Sequence, residues 1–251
     1  VSNGDLLDIR IDDPSTEVVI SGSSVAPNSG VELPGMTSFA APFLEQGNYH
    51  WRANDGSETT ASSLTGGSEN TVLDGVLKNS IIRLRTTIGN TGQATSPSTA
   101  YRLEWAQKLT ACSAVSEGNW ERLDTASDEF EIAATANLTD GGNTTNVSVA
   151  NGGVGNIAGT FDGTNGGVKD TSDTTAATTL AADEYFDLEF AIRATNVALQ
   201  GASYCFRATS TVSTIESFAA YAELNIALDN DFKIQRGVST LTGTTLTLTA
   251  G

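Results

Sequence analysis

Apolar and polar residues alternate with a period of two along most of this chain, the pattern of strands with one face in a core. Leu7, Ile9 and Ile11 alternate with Asp8, Arg10 and Asp12, and Val18-Val19-Ile20 follows a break at Pro14, so the first twenty residues predict two short strands. Residues 21–47 carry Pro27, Pro34 and Pro42 among scattered glycines and predict an irregular connection or edge segments. The alternation resumes where Tyr49 and Trp51 interleave with His50 and Arg52, up to a turn at Asn54-Asp55-Gly56. The strongest strand signal is Ile81 to Ile88: Ile82, Leu84, Thr86 and Ile88 share one face, and Arg83, Arg85 and Thr87 share the other.

Tyr101, Leu103 and Trp105 then predict a strand leading to Cys112, with short strands at Trp120–Leu123 and Phe130–Ile132. Residues 137–183 are rich in Thr, Gly, Asn and Asp with few large apolar side chains, and predict long loops. Beyond them Phe186, Leu188, Phe190 and Ile192 alternate with Asp187, Glu189, Ala191 and Arg193, Tyr204 and Phe206 flank Cys205, and residues 221–228 repeat the pattern. Helical periodicity is confined to one turn's worth between Ser213 and Ala222. The expected fold is all-β, an immunoglobulin-like or jelly-roll-like β-sandwich with long loops and extended terminal strands. Its expected parts are N-terminal strands at 1–30, a main sandwich at 31–229 and a C-terminal strand segment at 230–251.

Composition adds a location. Thirteen Lys and Arg stand against 30 Asp and Glu, a net charge of −17, which repels nucleic-acid phosphates and anionic lipid headgroups. Charged residues make up only 17% of the chain, and Thr, Ser, Gly, Ala and Asn dominate, as in sheet-rich exported proteins. No stretch approaches the ~18 apolar residues of a membrane helix. The chain starts at Val1 without a basic-then-apolar leader, which fits a mature polypeptide whose export signal has been removed. Cys112 and Cys205, the two cysteines, form a matched pair in or beside predicted strands. A bridge would close a loop of about 90 residues and persist in an oxidising compartment. Extracellular or cell-surface localisation is therefore expected.

No constellation of residues names a reaction, and a non-enzymatic protein is expected. His50 is the single histidine; it points opposite Tyr49 and Trp51 and reads as a surface or half-buried structural residue. No Gly-x-Ser-x-Gly elbow is present, and Gly152-Gly153-Val154-Gly155 lacks the Lys-Ser/Thr of a phosphate loop. No resident cofactor is expected. Loops at Asp12-Asp13, Asp124/Asp128/Glu129, Asp140–Asn143 and Asp162–Asn165 offer oxygen ligands for calcium, although none has EF-hand spacing. Three sequons make Asn137, Asn143 and Asn146 candidate glycosylation sites. Trp51, Trp105 and Trp120 read as core positions, with a glycan-stacking platform as the alternative.

The run Ile81-Ile-Arg-Leu-Arg-Thr-Thr-Ile-Gly-Asn-Thr-Gly92, with Tyr101-Arg-Leu-Glu-Trp105 and Trp120-Glu-Arg-Leu123 after it, resembles immunoglobulin-like, adhesion-type sandwich modules of prokaryotic cell-surface proteins. Residues 49–58 and 202–207 are similar to segments of large repetitive bacterial surface proteins, and the resemblance spans roughly residues 48–228. It implies a location and a scaffold. The C-terminal segment adds an expectation about assembly. Leu246 and Leu248 alternate with Thr245, Thr247 and Thr249, after Leu241, in a stretch free of proline and uncharged after Arg236. Such a strand needs a partner, either inside its own domain or in a neighbouring subunit's sheet. Leu7, Ile9 and Ile11 are a second candidate for that exchange. The expected function is an extracellular structural subunit, a homopolymer forming a pilus-like surface filament or layer by donor strand complementation. The alternatives are an adhesive or carbohydrate-binding module, with glycans as partners, and a viral or phage structural protein.

Overall fold

The computed structural model describes residues 40–124, 128–155, 157–212 and 215–228. Leu7, Ile9 and Ile11 at one terminus, and Leu241, Leu246 and Leu248 at the other, lie outside the described residues, as do the segments 1–30 and 230–251 that carry them. Twelve strands are described: β1 (Leu44–Ala53), β2 (Leu73–Val76), β3 (Ile81–Asn90), β4 (Tyr101–Gln107), β5 (Glu121–Arg122), β6 (Phe130–Ile132), β7 (Thr160–Phe161), β8 (Val168–Lys169), β9 (Glu184–Ala194), β10 (Ser203–Ser210), β11 (Ser217–Phe218) and β12 (Ala222–Ile226). The first sheet has the order β11-β1-β3-β9-β6, with β7 and β8 also pairing with β9. The second has the order β2-β12-β10-β4-β5. Antiparallel pairing dominates the centre of both sheets, and β2, β7, β8 and β11 add short parallel pairings.

The all-β sandwich follows from the alternation. Ile82, Leu84 and Ile88 of β3 and Phe186, Leu188, Phe190 and Ile192 of β9 face Leu103 and Trp105 of β4, Tyr204 and Phe206 of β10 and Leu224 of β12 in one buried cluster. Full burial of each large apolar side chain contributes about 1.5–3 kcal/mol. Aromatic edges lock the two sheets together: ring centroids lie 5.6 Å apart for Trp51 and Phe206, 5.3 Å for Tyr101 and Phe186, and 4.9 Å for Phe130 and Phe206. Gln46, buried between the sheets, donates to Ala220 O at 2.6 Å and accepts from Ala208 N at 2.6 Å. The Cys112–Cys205 disulfide forms, tying the short turn after β4 to the middle of β10 across 93 residues of sequence.

Several local expectations are revised. β1 begins at Leu44 rather than at Tyr49, because the irregularity between Gln46 and Tyr49 breaks the alternation without breaking the ladder to β3. The single helical turn expected near 213–222 is not what Ser217 and Phe218 adopt: they form β11, paired in parallel with Glu45 and Gln46. The loop-rich stretch 137–183 contains β7 and β8, both too short to show a period, and docks along β9. The Asn-Thr-Gly turn after β3 needs its glycine for close approach, since a Cβ on Gly92 would lie 2.3 Å from Phe43 N.

Candidate functional site

The first sheet is buried on both faces. Its inner face is apolar, and its outer face carries His50, Arg52, Arg83, Arg85, Thr87, Asp187 and Glu189, all buried beneath the segments that follow β1 and β6. Alternation shows which residues share this face, but not that the loops after β1 and β6 cover it. Glu189 sits at the centre. Its carboxylate accepts from Arg52 Nη1 at 2.5 Å, Arg83 Nη1 at 3.3 Å and Arg85 Nη1 at 2.9 Å. Arg85 Nε also reaches Asp187 at 2.9 Å, and Arg85 Nη1 reaches Glu58 at 2.7 Å. Thr87 Oγ1 donates to Asp187 at 2.8 Å. Three guanidinium groups thus face three carboxylates. Burial works against the charge on Arg85, but Asp187, Glu189 and Glu58 outweigh it and raise its pKa above the ordinary arginine value. Arg52, for which burial dominates, is shifted the other way.

These cations also hold the overlying chain directly. Arg83 Nη1 donates to Ser57 O at 3.2 Å, Arg52 Nη1 to Glu58 O at 2.6 Å, and Arg85 Nη2 to Thr145 O. Thr145 N in turn donates to Glu58 at 2.7 Å. The loops are therefore built around the ionic layer. Farther out, Asp140 accepts from the amides of Asp170, Thr171 and Ser172 and from Ser172 Oγ and Lys169 Nζ. Burial opposes its ionisation, but Ser172, the Asp170 amide, Lys169 and the Thr171 amide outweigh it and hold the carboxyl well below the usual range. Asp162 and Asn165 likewise spend their side-chain oxygens on Thr164, Thr144 and Gly167 donors. The calcium candidates at Asp140 and Asp162 are thus turns closed by protein N–H and O–H groups. Among the described residues, no group of three His, Cys, Asp or Glu side chains is placed to hold a metal.

His50 corrects the expectation of a surface or half-buried position, because it is fully buried in this layer. Its Nδ1 lies 2.7 Å from Gly153 O, which can only accept, so Nδ1 carries the proton and Nε2 accepts from Ser63 Oγ at 2.7 Å. A hydroxyl oriented on an imidazole is also the pairing that nucleophilic catalysis uses. Here Ser63 Oγ accepts from Thr65 N at 3.1 Å and Gly67 N at 2.9 Å, so the hydroxyl is committed to holding its own turn. Burial lowers the His50 pKa, aided by Arg52 and Arg85 and opposed by the Gly153 carbonyl. A base whose folded pKa lies below its unfolded value gives stability that is complete above about pH 6.5 and falls as the pH drops through that value, by at most about 1.4 kcal/mol per pH unit. Chemical denaturation between pH 7.5 and 5.5 is expected to show that slope. The slope should vanish in His50→Gln.

Trp51 and Trp105 are core residues at 0% and 3% exposure, so the three tryptophans do not form a platform. Trp120 is half-buried and stacks on Tyr221, which stacks on Phe218, while the Arg207 guanidinium lies 4.4 Å from the Trp120 ring centre. Arg207 also pairs with Glu104 at 2.8 Å and Glu117 at 2.6 Å. An open groove of about 290 Å³ adjoins this cluster, lined by Glu117, Arg207, Thr209, Ser210, Thr211 and Phe218 among others. No periodicity in the sequence links its members, because the turn at Glu117 is far along the chain from β10 and β11, which supply Arg207 and Phe218. The three sequon asparagines are exposed, and the Asn137 and Asn146 amides donate to Asn54 O at 2.8 Å and to Tyr185 Oη at 3.1 Å.

The two ends of the sandwich differ. The chain comes in at Ala40–Phe43, where Gln93 N donates to Ala41 O and Thr91 N to Phe43 O, beside the Asn90 end of β3. The described residues stop at Leu228, where Ala227 N donates to Val76 O, while Asn79 N, just before β3, donates to Ala194 O. The two points thus lie toward opposite ends of β3. No helix among the described residues is long and apolar enough to cross a membrane. No protein-family model matches the chain, and no curated protein or solved structure matches it either.

Proposed function

We propose that the chain is an extracellular structural subunit that assembles with copies of itself into a surface filament or layer by exchanging terminal strands. The observation that carries this reading is the placement of the two exits. The described residues begin at Ala40 and stop at Leu228, at opposite ends of the sandwich, so terminal segments exchanged between copies would link one sandwich to the next without either opening. A head-to-tail contact of that kind does not close on itself and propagates as an open polymer. The intramolecular disulfide is compatible with an oxidising, extracellular setting, and the terminal segments supply the alternating Leu7, Ile9, Ile11 and Leu241, Leu246, Leu248 sets that strand addition uses.

Negative-stain microscopy and sedimentation of the full chain test the reading. Regular filaments or sheets are expected from the 26.0 kDa chain, together with a folded but unassembled monomer when residues 238–251 are deleted. A full chain that remains a uniform monomer would sink it. A second reading, an adhesive module, draws on the groove beside Arg207 and Phe218. Glycan binding that disappears in Arg207→Ala would favour that reading.

A further inference from the structure

The edges of the sandwich are not equally protected. Along β1, the pairing with β11 is continued by Asn70 N to Tyr49 O, Leu64 N to Trp51 O and Ala53 N to Ser62 O. The far side of β9 is covered by β6, β7 and β8, and by Ala133 N to Ala191 O. In the second sheet, β4 is covered by β5, by Leu123 N to Leu103 O and by Thr175 N to Tyr101 O. The opposite margin of that sheet is β2, at four residues the longest edge strand. Its inner edge pairs with β12, and among the described residues no strand pairs with its outer edge.

This margin is also where apolar surface collects. Among the described residues nine large apolar side chains are exposed; of these Val72 and Leu77 flank β2, and Leu77, Val197, Leu199 and Leu228 share the end at which the described residues stop. Hydrogen bonds bring them there: Ala227 N to Val76 O, Gly201 N to Ile226 O and Lys78 Nζ to Asn196 O. An exposed apolar patch beside an unpaired strand edge marks a surface that acquires a partner.

We infer that the outer edge of β2 is the acceptor for residues 241–249 of a second copy of this chain, which add to the second sheet as a further strand; this rests on the assembly proposed above. Two features of the sequence select this occupant. Residues 238–251 contain no charged side chain, so they approach a second chain of net charge −17 without Coulomb repulsion. Leu246 and Leu248 alternate with threonines, as a strand beside β2 requires, where Leu73 and Val76 point inward and Asp74 points out. With the leucines turned inward, Thr245, Thr247 and Thr249 share the outer face with Asp74. Gly75, with φ at 71°, limits regular pairing to one side of the strand's bend.

The test is cysteine cross-linking between full-length chains. One chain carries Asp74→Cys, and a second, co-expressed and distinguishable by mass, carries Thr245→Cys, Thr247→Cys or Thr249→Cys in turn. The expected result is a disulfide between the two chains in one of the three pairings, confirmed by mass spectrometry of the linked peptides. Absence of the inter-chain link in all three overturns the inference, and so does a double variant that links only within its own chain. The assembly reading is scored separately. A double variant that cross-links into a ladder of increasing size supports both, whereas one that stops at a reciprocal dimer upholds the acceptor edge and overturns the open polymer. Filaments of the unmodified chain without any Asp74 link would leave the polymer standing and remove β2 as its acceptor.

Discussion

Replacing Glu189 with alanine is expected to destabilise the fold by about 3–5 kcal/mol, the cost of removing one partner from a buried ion cluster. The reason is charge balance. Arg52, Arg83 and Arg85 face Glu58, Asp187 and Glu189, and Glu189 alone touches all three guanidinium groups. Its loss leaves three buried cations against two carboxylates, an excess charge held out of solvent by burial. Glu189→Gln keeps an acceptor oxygen and the volume, so it separates charge from shape and should cost less than Glu189→Ala. Combining Glu189→Gln with Arg52→Met restores neutrality and should recover part of the loss, a non-additivity expected of side chains in one network. Urea denaturation of Glu189→Ala, Glu189→Gln, Arg52→Met and the double variant measures it. Additive losses in the pair would mean that the layer acts by shape rather than by charge. Because these cations also bind the backbone at Ser57, Glu58 and Thr145, hydrogen exchange in residues 54–70 and 137–170 should rise more than in β10 or β12.

The inner half of the sandwich was legible in the sequence and the outer layer was not, for a physical reason. Alternation reports a difference between the two faces of a strand, so Ile82, Leu84 and Ile88 announced themselves against Arg83, Arg85 and Thr87. It does not report whether the polar face meets water or other polar groups. The information that decides this is the register of β3 against β9, which sets Arg85 opposite Glu189 and Thr87 opposite Asp187, and register is a property of the folded pair. With that register known, three arginines and two acids on neighbouring strands would have signalled a neutral buried layer. The loops over it were readable as loops, but their role was not, since two-residue strands such as β7 and β8 have no period to detect. The same holds for His50: its polarity in an alternating strand points to solvent, and it faces Gly153 O and Ser63 Oγ instead. The cysteine pair, by contrast, needed no register, because two cysteines allow one pairing.

That bridge carries the other large effect. Cys112 and Cys205 are separated by 93 residues, and closing a loop of that length removes unfolded-chain entropy worth about 4–5 kcal/mol at room temperature. The double replacement Cys112→Ala with Cys205→Ala is expected to lower the unfolding free energy by about that amount, with a shift of the denaturation midpoint and little change in far-ultraviolet circular dichroism. The folded state should survive, since β4 and β10 remain joined by the ladder from Tyr101–Ser210 to Gln107–Tyr204, and the aromatic core around Trp51, Phe130 and Phe206 does not use the sulfurs. Both cysteines are buried, so reductant should act slowly on the folded protein and faster in denaturant. The two expected losses arise from different states: Glu189→Ala removes a native interaction, whereas the cysteine pair acts through the unfolded ensemble. Their sites share no partner, so combining them should give additive losses in the unfolding free energy. A combined loss well below the sum would show that the chain without its bridge already lacks the outer ionic layer, placing the disulfide upstream of that layer in the folding of the sandwich.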